Sequence, residues 1–323
     1  MTNSGTAILL LFILPLTAAF IMPRSSKKRF PFSRQSAADL DVQTVERLKG
    51  KCAVLTGASS GLGKSMALKL AGCDLKHIVL SGRNLEALQV VKEHFLKAGS
   101  KCKVHVLPCD LTDIEASKKF SKDALAACED QVDVLILSGG LSSRSSFLET
   151  DVEVDEMLMK VNYLSGAAIT KGIVPSMVKN KSGLICWISS VQGLIGTPFR
   201  TSYAASKFAV QGYCEALRSE LTSSGVGVHC VSPGYINTNL SLNAATGNVG
   251  SKHGKLDETT ANGADPIHVA VEILDSVVTK RRSSDFIVAA TPSARAAIAL
   301  KLIAPKFLEK KLVKRFLKSE EDE

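Results

Sequence analysis

From Gly50 onward the chain alternates short, continuous apolar runs with longer stretches of helical periodicity. The runs 52–56 (CAVLT), 77–81 (HIVLS), 103–107, 132–137 (VDVLIL), 184–189, 226–231 and 285–289 are β-branched and aliphatic and bounded by Gly and Pro, which predicts strands. Segments near 62–72, 84–98, 113–128, 152–178, 202–223 and 266–279 predict the helices between them. Strands that are apolar throughout and separated by helices belong to a parallel sheet covered on both faces. The pattern therefore predicts one doubly wound α/β domain over 50–290.

The two ends read differently. Residues 7–22 (AILLLFILPLTAAFIM) form an uncharged apolar run interrupted by Pro15. It is short against the about 17–25 residues of a spanning helix. No basic residue precedes it, whereas Arg24, Lys27, Lys28, Arg29 and Arg34 follow. That asymmetry predicts an uncleaved hydrophobic membrane anchor over 1–23, with the downstream chain on the cytoplasmic side. The endoplasmic reticulum is the expected membrane, and a hairpin bent at Pro15 on a lipid droplet, or a peroxisomal location, is the alternative. Residues 24–49 read as a basic linker. At the other end, 291–323 reads as a basic amphipathic segment followed by an acidic tail, Glu320-Glu321-Asp322-Glu323. Such a segment either lies on a membrane or docks on the domain with its basic face in solvent.

Charge and cysteine content narrow the class. The 323 residues carry a formal net charge of +9, concentrated at those two ends. Basic residues interleaved with apolar ones point to a membrane surface, and no zinc-finger spacing, RNA-binding aromatic motif or basic zipper supports a nucleic-acid partner. The eight cysteines form no Cys-x-x-Cys pair, and several sit inside apolar runs, so free buried thiols are expected rather than a disulfide framework.

Two motifs carry chemistry. The first strand runs into Thr56-Gly57-Ala58-Ser59-Ser60-Gly61-Leu62-Gly63. Gly57 permits a tight turn, Gly61 lets the backbone approach a pyrophosphate, and Gly63 lets the helix pack on the sheet. The helix start then offers free N–H groups to phosphates. Further on, Tyr203 and Lys207 stand four residues apart, on one face of a predicted helix. A lysine one turn from a phenol stabilises its anion, which gives a proton relay suited to carbonyl–alcohol interconversion.

Thr-Gly-x-x-x-Gly-x-Gly, then Asn162, Ser190, Tyr203-x-x-x-Lys207 and Pro233-Gly234, resembles the short-chain dehydrogenase/reductase family. Residues 192–207 and 232–241 look most like its dehydrogenase/reductase member 7 group. The resemblance implies a Rossmann fold and an oxidoreductase that binds a nicotinamide cofactor through Gly57, Ser59, Ser60, Gly61, Leu62 and Gly63. It also implies an adenine contact at Asp110 and Leu111, close approach at Gly139, and nicotinamide contacts at Pro233, Ile236 and Thr238. The second strand ends Leu80-Ser81-Gly82-Arg83-Asn84, with no acid for ribose hydroxyls and with a guanidinium available for a phosphate, so NADP(H) is expected over NAD(H). One stretch departs from the family. Where relatives carry Asn-Asn-Ala-Gly this chain has Leu137-Ser138-Gly139-Gly140, which removes an amide that braces the central sheet.

Carried over residue by residue, Tyr203 exchanges a proton with the substrate oxygen and Lys207 lowers its pKa and holds the nicotinamide ribose. Ser190, with Ser189 as the alternative, polarises the carbonyl, and Asn162 holds a water leading to Lys207. Hydride comes from the cofactor, so no metal is required. The segment 239–265, rich in Gly, Asn, Ser and Thr, occupies the position of a substrate lid. Membrane attachment suggests a lipophilic substrate such as a retinoid, a steroid or a lipid-derived ketone. Arg200, Lys252, His253 and Lys255 suggest instead a phosphorylated lipid. The resemblance further implies a homo-oligomer, a dimer or tetramer. A catalytically quiet nucleotide-binding scaffold at a membrane is the competing reading, left open by the altered 137–140 segment.

Overall fold

The computed structural model describes residues 39–280 and 283–321. The hydrophobic anchor expected over 1–23, and the first part of the linker, lie outside the described residues. Among the described residues no helix is long and apolar enough to cross a membrane.

Seven parallel strands form one sheet: β1 (Cys52–Thr56), β2 (His77–Ser81), β3 (Lys103–Val106), β4 (Val134–Leu137), β5 (Gly183–Ile188), β6 (Val226–Pro233) and β7 (Ser284–Val288). Their spatial order is β3-β2-β1-β4-β5-β6-β7, so the winding reverses between β1 and β4. In a sheet of this kind ligands collect at the carboxyl ends of the strands beside that switch point. The sequence placed every strand, with bounds shifted by one or two residues at β3, β4, β5, β6 and β7. Strand β6 runs two residues further than expected because Ser232 and Pro233 stay in register with Ile287 and Val288 of β7.

Alternation along each strand divides the core in two. Ala53 and Leu55 of β1 face one side, with α2 (Gly61–Leu70), α3 (Leu85–Lys97) and α9 (Pro266–Thr279). Cys52 and Val54 face the other, with α4 (Ile114–Ala127), α6 (Ser165–Lys179) and α7 (Thr201–Leu221). All eight cysteines are buried and free, acting as small apolar residues.

Three local readings are corrected. Residues 42–48, expected in a linker, form helix α1 (Val42–Leu48), which buries Thr44 and Leu48. Arg47 of α1 donates to Val278 O and Thr279 O at 2.9 and 2.7 Å, tying it to the end of α9. The helix expected over 152–178 is not continuous: α5 (Val152–Met159) passes through a π-helical turn (Lys160–Leu164) into α6. The C-terminal stretch is split at Ala304 into α10 (Pro292–Ile303) and α11 (Pro305–Glu321), so the acidic residues 320 and 321 continue a helix rather than begin a tail. A short helix, α8 (Glu258–Ala261), interrupts the predicted lid.

Candidate active site

A cleft of about 810 Å³ opens at the carboxyl ends of β1, β4, β5 and β6. Its floor is the turn after β1. Gly57 adopts φ +71°, and a Cβ there would meet Gly139 N at 2.8 Å. A Cβ on Gly63 would meet Gly57 O at 2.2 Å, so the first turn of α2 lies directly on the loop. Ser60 precedes α2 without its side chain capping the helix, which leaves the first N–H groups facing the cleft. Gly61 lies under Thr238, whose methyl is 3.4 Å from where a Cβ would sit. A narrow extension of the cleft is lined by Ser59, Ser60, Arg83, Asp110 and Leu111. Gly82 there leaves room only for Ser59, and Arg83 is exposed at the rim. This backbone cradle, with an open helix N-terminus and a single guanidinium, fits a dinucleotide.

The departure at 137–140 has its own brace. Leu137 is buried in the core, and the Thr56 hydroxyl accepts from both Ser138 N and Gly139 N at 3.2 Å. The turn is secured further by Asn162, delivered by the π-helical turn. Its Oδ1 accepts from Leu141 N at 2.8 Å, while its Nδ2 donates to Leu141 O at 2.9 Å and to Ser206 Oγ at 2.8 Å. The Asn162 amide thus ties the β4 loop to α7.

Helix α7 turns Tyr203, Ser206, Lys207, Val210 and Cys214 inward, the i, i+3, i+4, i+7 and i+11 positions of one stripe. Tyr203 and Lys207 are therefore both buried, with the ammonium 5.8 Å from the ring centroid. Lys207 Nζ donates to Ile188 O at 2.9 Å, and Gly140 beside it lets Asn162 approach closely, since a Cβ there would lie 3.0 Å from Asn162 Oδ1. Burial pulls the Lys207 amine down to about 8. Burial pushes the Tyr203 phenol up, opposed by its hydrogen bond with Ser190 and by the charges of Arg200 and Arg144. The expected lowering of the phenol by Lys207 is thus not the leading effect. The geometry also separates the two serines. The Ser190 hydroxyl lies beside the Tyr203 phenol in the cleft and accepts from Gln192 N at 3.1 Å, whereas Ser189 Oγ donates to Lys207 O and accepts from Gln211 Nε2, fixing it against α7.

A short-chain dehydrogenase profile matches residues 51–248. The chain belongs to the short-chain dehydrogenase/reductase family. A dehydrogenase/reductase SDR family protein 7-like of Drosophila melanogaster is 42% identical over 281 residues, covering 86% of this chain and 84% of that protein. Dehydrogenase/reductase SDR family member 7B of Danio rerio is 44% identical over 239 residues, covering 73% and 76%. Among solved structures, a short-chain dehydrogenase/reductase from Burkholderia phymatum in complex with NAD aligns at a TM-score of 0.70 and 22% identity, covering 81% of this chain and 96% of that one. An NAD(P)-dependent putative gluconate 5-dehydrogenase from Beutenbergia cavernae with bound NADP aligns at 0.64 and 26% identity, covering 76% and 97%.

On the far wall of the cleft this short-chain dehydrogenase/reductase adds two residues that sequence reasoning missed, Arg144 and Asp257, to Arg200 and His253, which it singled out. Arg144 donates from Nε and Nη2 to Asp257 Oδ2 at 2.9 and 2.5 Å, and from Nη1 to Ser142 Oγ and Ser143 O at 2.7 Å each. Arg200 Nη2 reaches the same Asp257 oxygen at only 3.5 Å, and His253 Nε2 stands 3.4 Å from Oδ1. Two largely buried guanidiniums thus share one carboxylate beside Tyr203. Burial and the neighbouring Arg144 both press the Arg200 pKa down. Ser143 Oγ, meanwhile, accepts from Tyr203 N at 3.3 Å and holds the start of α7. Arg144 and Asp257 are 113 positions apart, and no local pattern pairs them.

Phe199, next to Arg200, adopts φ +63°, a left-handed conformation that costs a bulky residue on the order of 1–3 kcal/mol. It is held there from two sides. Ser145 N donates to Phe199 O at 3.2 Å, and the ring lies 5.3 Å, centroid to centroid, from Phe316 of α11. Two more contacts join the C-terminal helices to this wall: Lys301 Nζ donates to Leu194 O at 2.8 Å, and Arg315 lies close enough to Tyr235 for its charge to pull the phenol pKa down.

Proposed function

We propose that the protein is an NADP(H)-dependent oxidoreductase that interconverts a carbonyl and an alcohol on a lipid-derived substrate. The observation that carries this reading is the convergence of Ser190, Tyr203 and Lys207 on one cleft, with the buried Lys207 amine one helical turn behind the phenol. A nicotinamide bound in the cradle supplies or takes up the hydride.

The chain's own residues do the rest. In the reducing direction Ser190 donates a hydrogen bond to the carbonyl oxygen, and Tyr203 Oη gives that oxygen its proton as the carbon accepts hydride. Arg200 and Arg144 stabilise the phenolate so formed, which offsets the burial that favours the neutral phenol. Lys207, whose amine titrates near 8, returns the proton. Asn162 holds the loop over Lys207 in place by its three hydrogen bonds.

Arg83 at the mouth of the cofactor cradle supports NADP(H) over NAD(H), because no carboxylate follows β2 and a guanidinium suits a phosphate. The shared carboxylate at Arg144 and Arg200 supports a substrate with an acidic head group. One Asp257 cannot neutralise two withdrawn guanidiniums, and a carboxylate or phosphate on the substrate completes the pairing. Leu141, Val191 and Leu240 offer apolar contact along the same cleft. The protein is further placed by this reading on the cytoplasmic face of the endoplasmic reticulum through residues 1–23, and as a dimer or tetramer. The two hydrogen bonds from the 137–140 loop to Thr56 support the enzyme reading over the scaffold reading.

Tyr203→Phe tests the assignment. Turnover of carbonyl substrates with NADPH should be abolished while NADPH binding, read by fluorescence titration, stays within about twofold, because the phenol contributes to the chemical step rather than to ground-state binding. Undiminished turnover in the variant sinks the reading.

A further inference from the structure

The C-terminal helices present two apolar faces, of which only one is covered. In α11, Leu308, Leu312 and Phe316 recur every four residues and pack toward Ile195, Gly196 and Pro198. Leu308 is buried and the other two are half-buried. That face, with the Lys301, Phe316 and Arg315 contacts, docks the helix pair on the domain. The corner where α10 meets α11 faces away. There Leu302, Ile303 and Phe307 are 68%, 79% and 51% exposed, and Val313 and Leu317 continue the apolar set along the outer side of α11.

Single exposed apolar residues are ordinary, but three bulky ones within six positions at a helix corner are not. Their surroundings are cationic. Lys306, Lys310, Lys311 and Lys314 are all exposed around the corner and along α11. Over residues 291–318 the sequence has eight basic residues and one acid, Glu309. Lys306 and Lys310 fall on the same outer stripe as Val313 and Leu317, opposite the docked one. A second copy of this chain would bring the same positive charge against itself. A bilayer surface bearing anionic phospholipids matches both properties, with acyl chains for the apolar knob and phosphates for the ring of lysines.

We propose that the α10–α11 corner is a membrane-docking surface, inserting Leu302, Ile303 and Phe307 into the interface of a bilayer rich in anionic phospholipid. The surface is separate from the anchor expected over 1–23 and does not depend on the catalytic reading.

Because the apolar N-terminal run could carry the whole protein to a vesicle, the test needs a reporter at the corner itself. The single tryptophan, Trp187, is 2% exposed inside β5 and contributes a constant background. Phe307→Trp and, independently, Ile303→Trp are introduced into the full chain and mixed with vesicles bearing brominated acyl chains, with or without phosphatidylserine. Leu96→Trp on α3 serves as an exposed reporter elsewhere. The expected result is a blue shift and quenching at positions 307 and 303 with phosphatidylserine vesicles, weakened by salt, and none at position 96. In the Phe307→Trp background, changing Lys306, Lys310 and Lys311 to Gln should weaken this binding by roughly fivefold per lysine, on the order of a hundredfold together. Four results overturn the proposal: unchanged emission at both corner positions, equal quenching at position 96, equal quenching without phosphatidylserine, or a shift that follows protein concentration in the absence of vesicles.

Discussion

Replacing Thr56 by Val removes one oxygen and almost no volume, and it isolates the brace of the 137–140 loop. The Thr56 hydroxyl is buried at the end of β1 and accepts two backbone hydrogen bonds, from Ser138 and Gly139, at 3.2 Å. Both donors are partly withdrawn from solvent, so losing their acceptor costs about 1 kcal/mol each, about 2 kcal/mol in all. For a domain of this size that lowers Tm by roughly 4–8 °C. Thr56→Ser keeps the oxygen and loses one methyl, so it should fall by no more than about half as much. Thermal melts with and without NADPH provide the assay. The cofactor should also bind several-fold more weakly to Thr56→Val, because Gly139 would no longer be held against Gly57. A Tm for Thr56→Val within a degree of the parent, or equal losses for Ser and Val, would refute the idea that this oxygen replaces the missing amide.

Three further expectations concern the site. Arg83→Ala should weaken NADPH binding by roughly tenfold to a hundredfold and leave NADH binding nearly unchanged; titration of both cofactors decides, and a parallel loss removes Arg83 from phosphate recognition. Lys207 has its folded pKa depressed to about 8, so the buried ammonium opposes folding at neutral pH, and that penalty lifts as pH rises through 8 toward the unfolded value near 10.4. Lys207→Met should accordingly be inactive yet more stable at pH 7, by about 3 kcal/mol at most, with the advantage shrinking above pH 8; an advantage independent of pH between 7 and 10 would show that the amine carries no such penalty. Arg200→Ala should raise KM at least tenfold for substrates bearing a carboxylate or phosphate and hardly at all for neutral ketones; equal changes for both would remove the acidic head group from the substrate reading.

Much of this was legible in the chain, and the reasons are physical. Strands β1 and β2 were read to the residue because they are buried on both faces and therefore apolar at every position. The phosphate cradle was legible because its glycines stand where backbone meets backbone, as at Gly57 and Gly63. The Gln211 and Lys207 contacts that hold the Ser189 hydroxyl against α7, apart from Ser190, were not legible, because they join the end of β5 to residues on the far side of a loop. The π-helical turn escaped notice because one extra residue barely disturbs an apolar period of 3.6, although it aims Asn162. Helix α1 was hidden by its polarity, since only Thr44 and Leu48 are buried. Arg200 stands out in the chain, but its pairing with Arg144 through Asp257 was out of reach because it joins three separate loops.

The left-handed Phe199 and its support on Phe316 make the substrate wall depend on the last part of the chain. The cofactor cradle is complete once β6 and the turn carrying Thr238 have emerged. The wall bearing Arg200 is not, because the side chains that steady it, Lys301, Arg315 and Phe316, are among the last to be translated. A chain released early, by a premature stop before residue 301, would keep the dinucleotide cradle while its substrate wall relaxed.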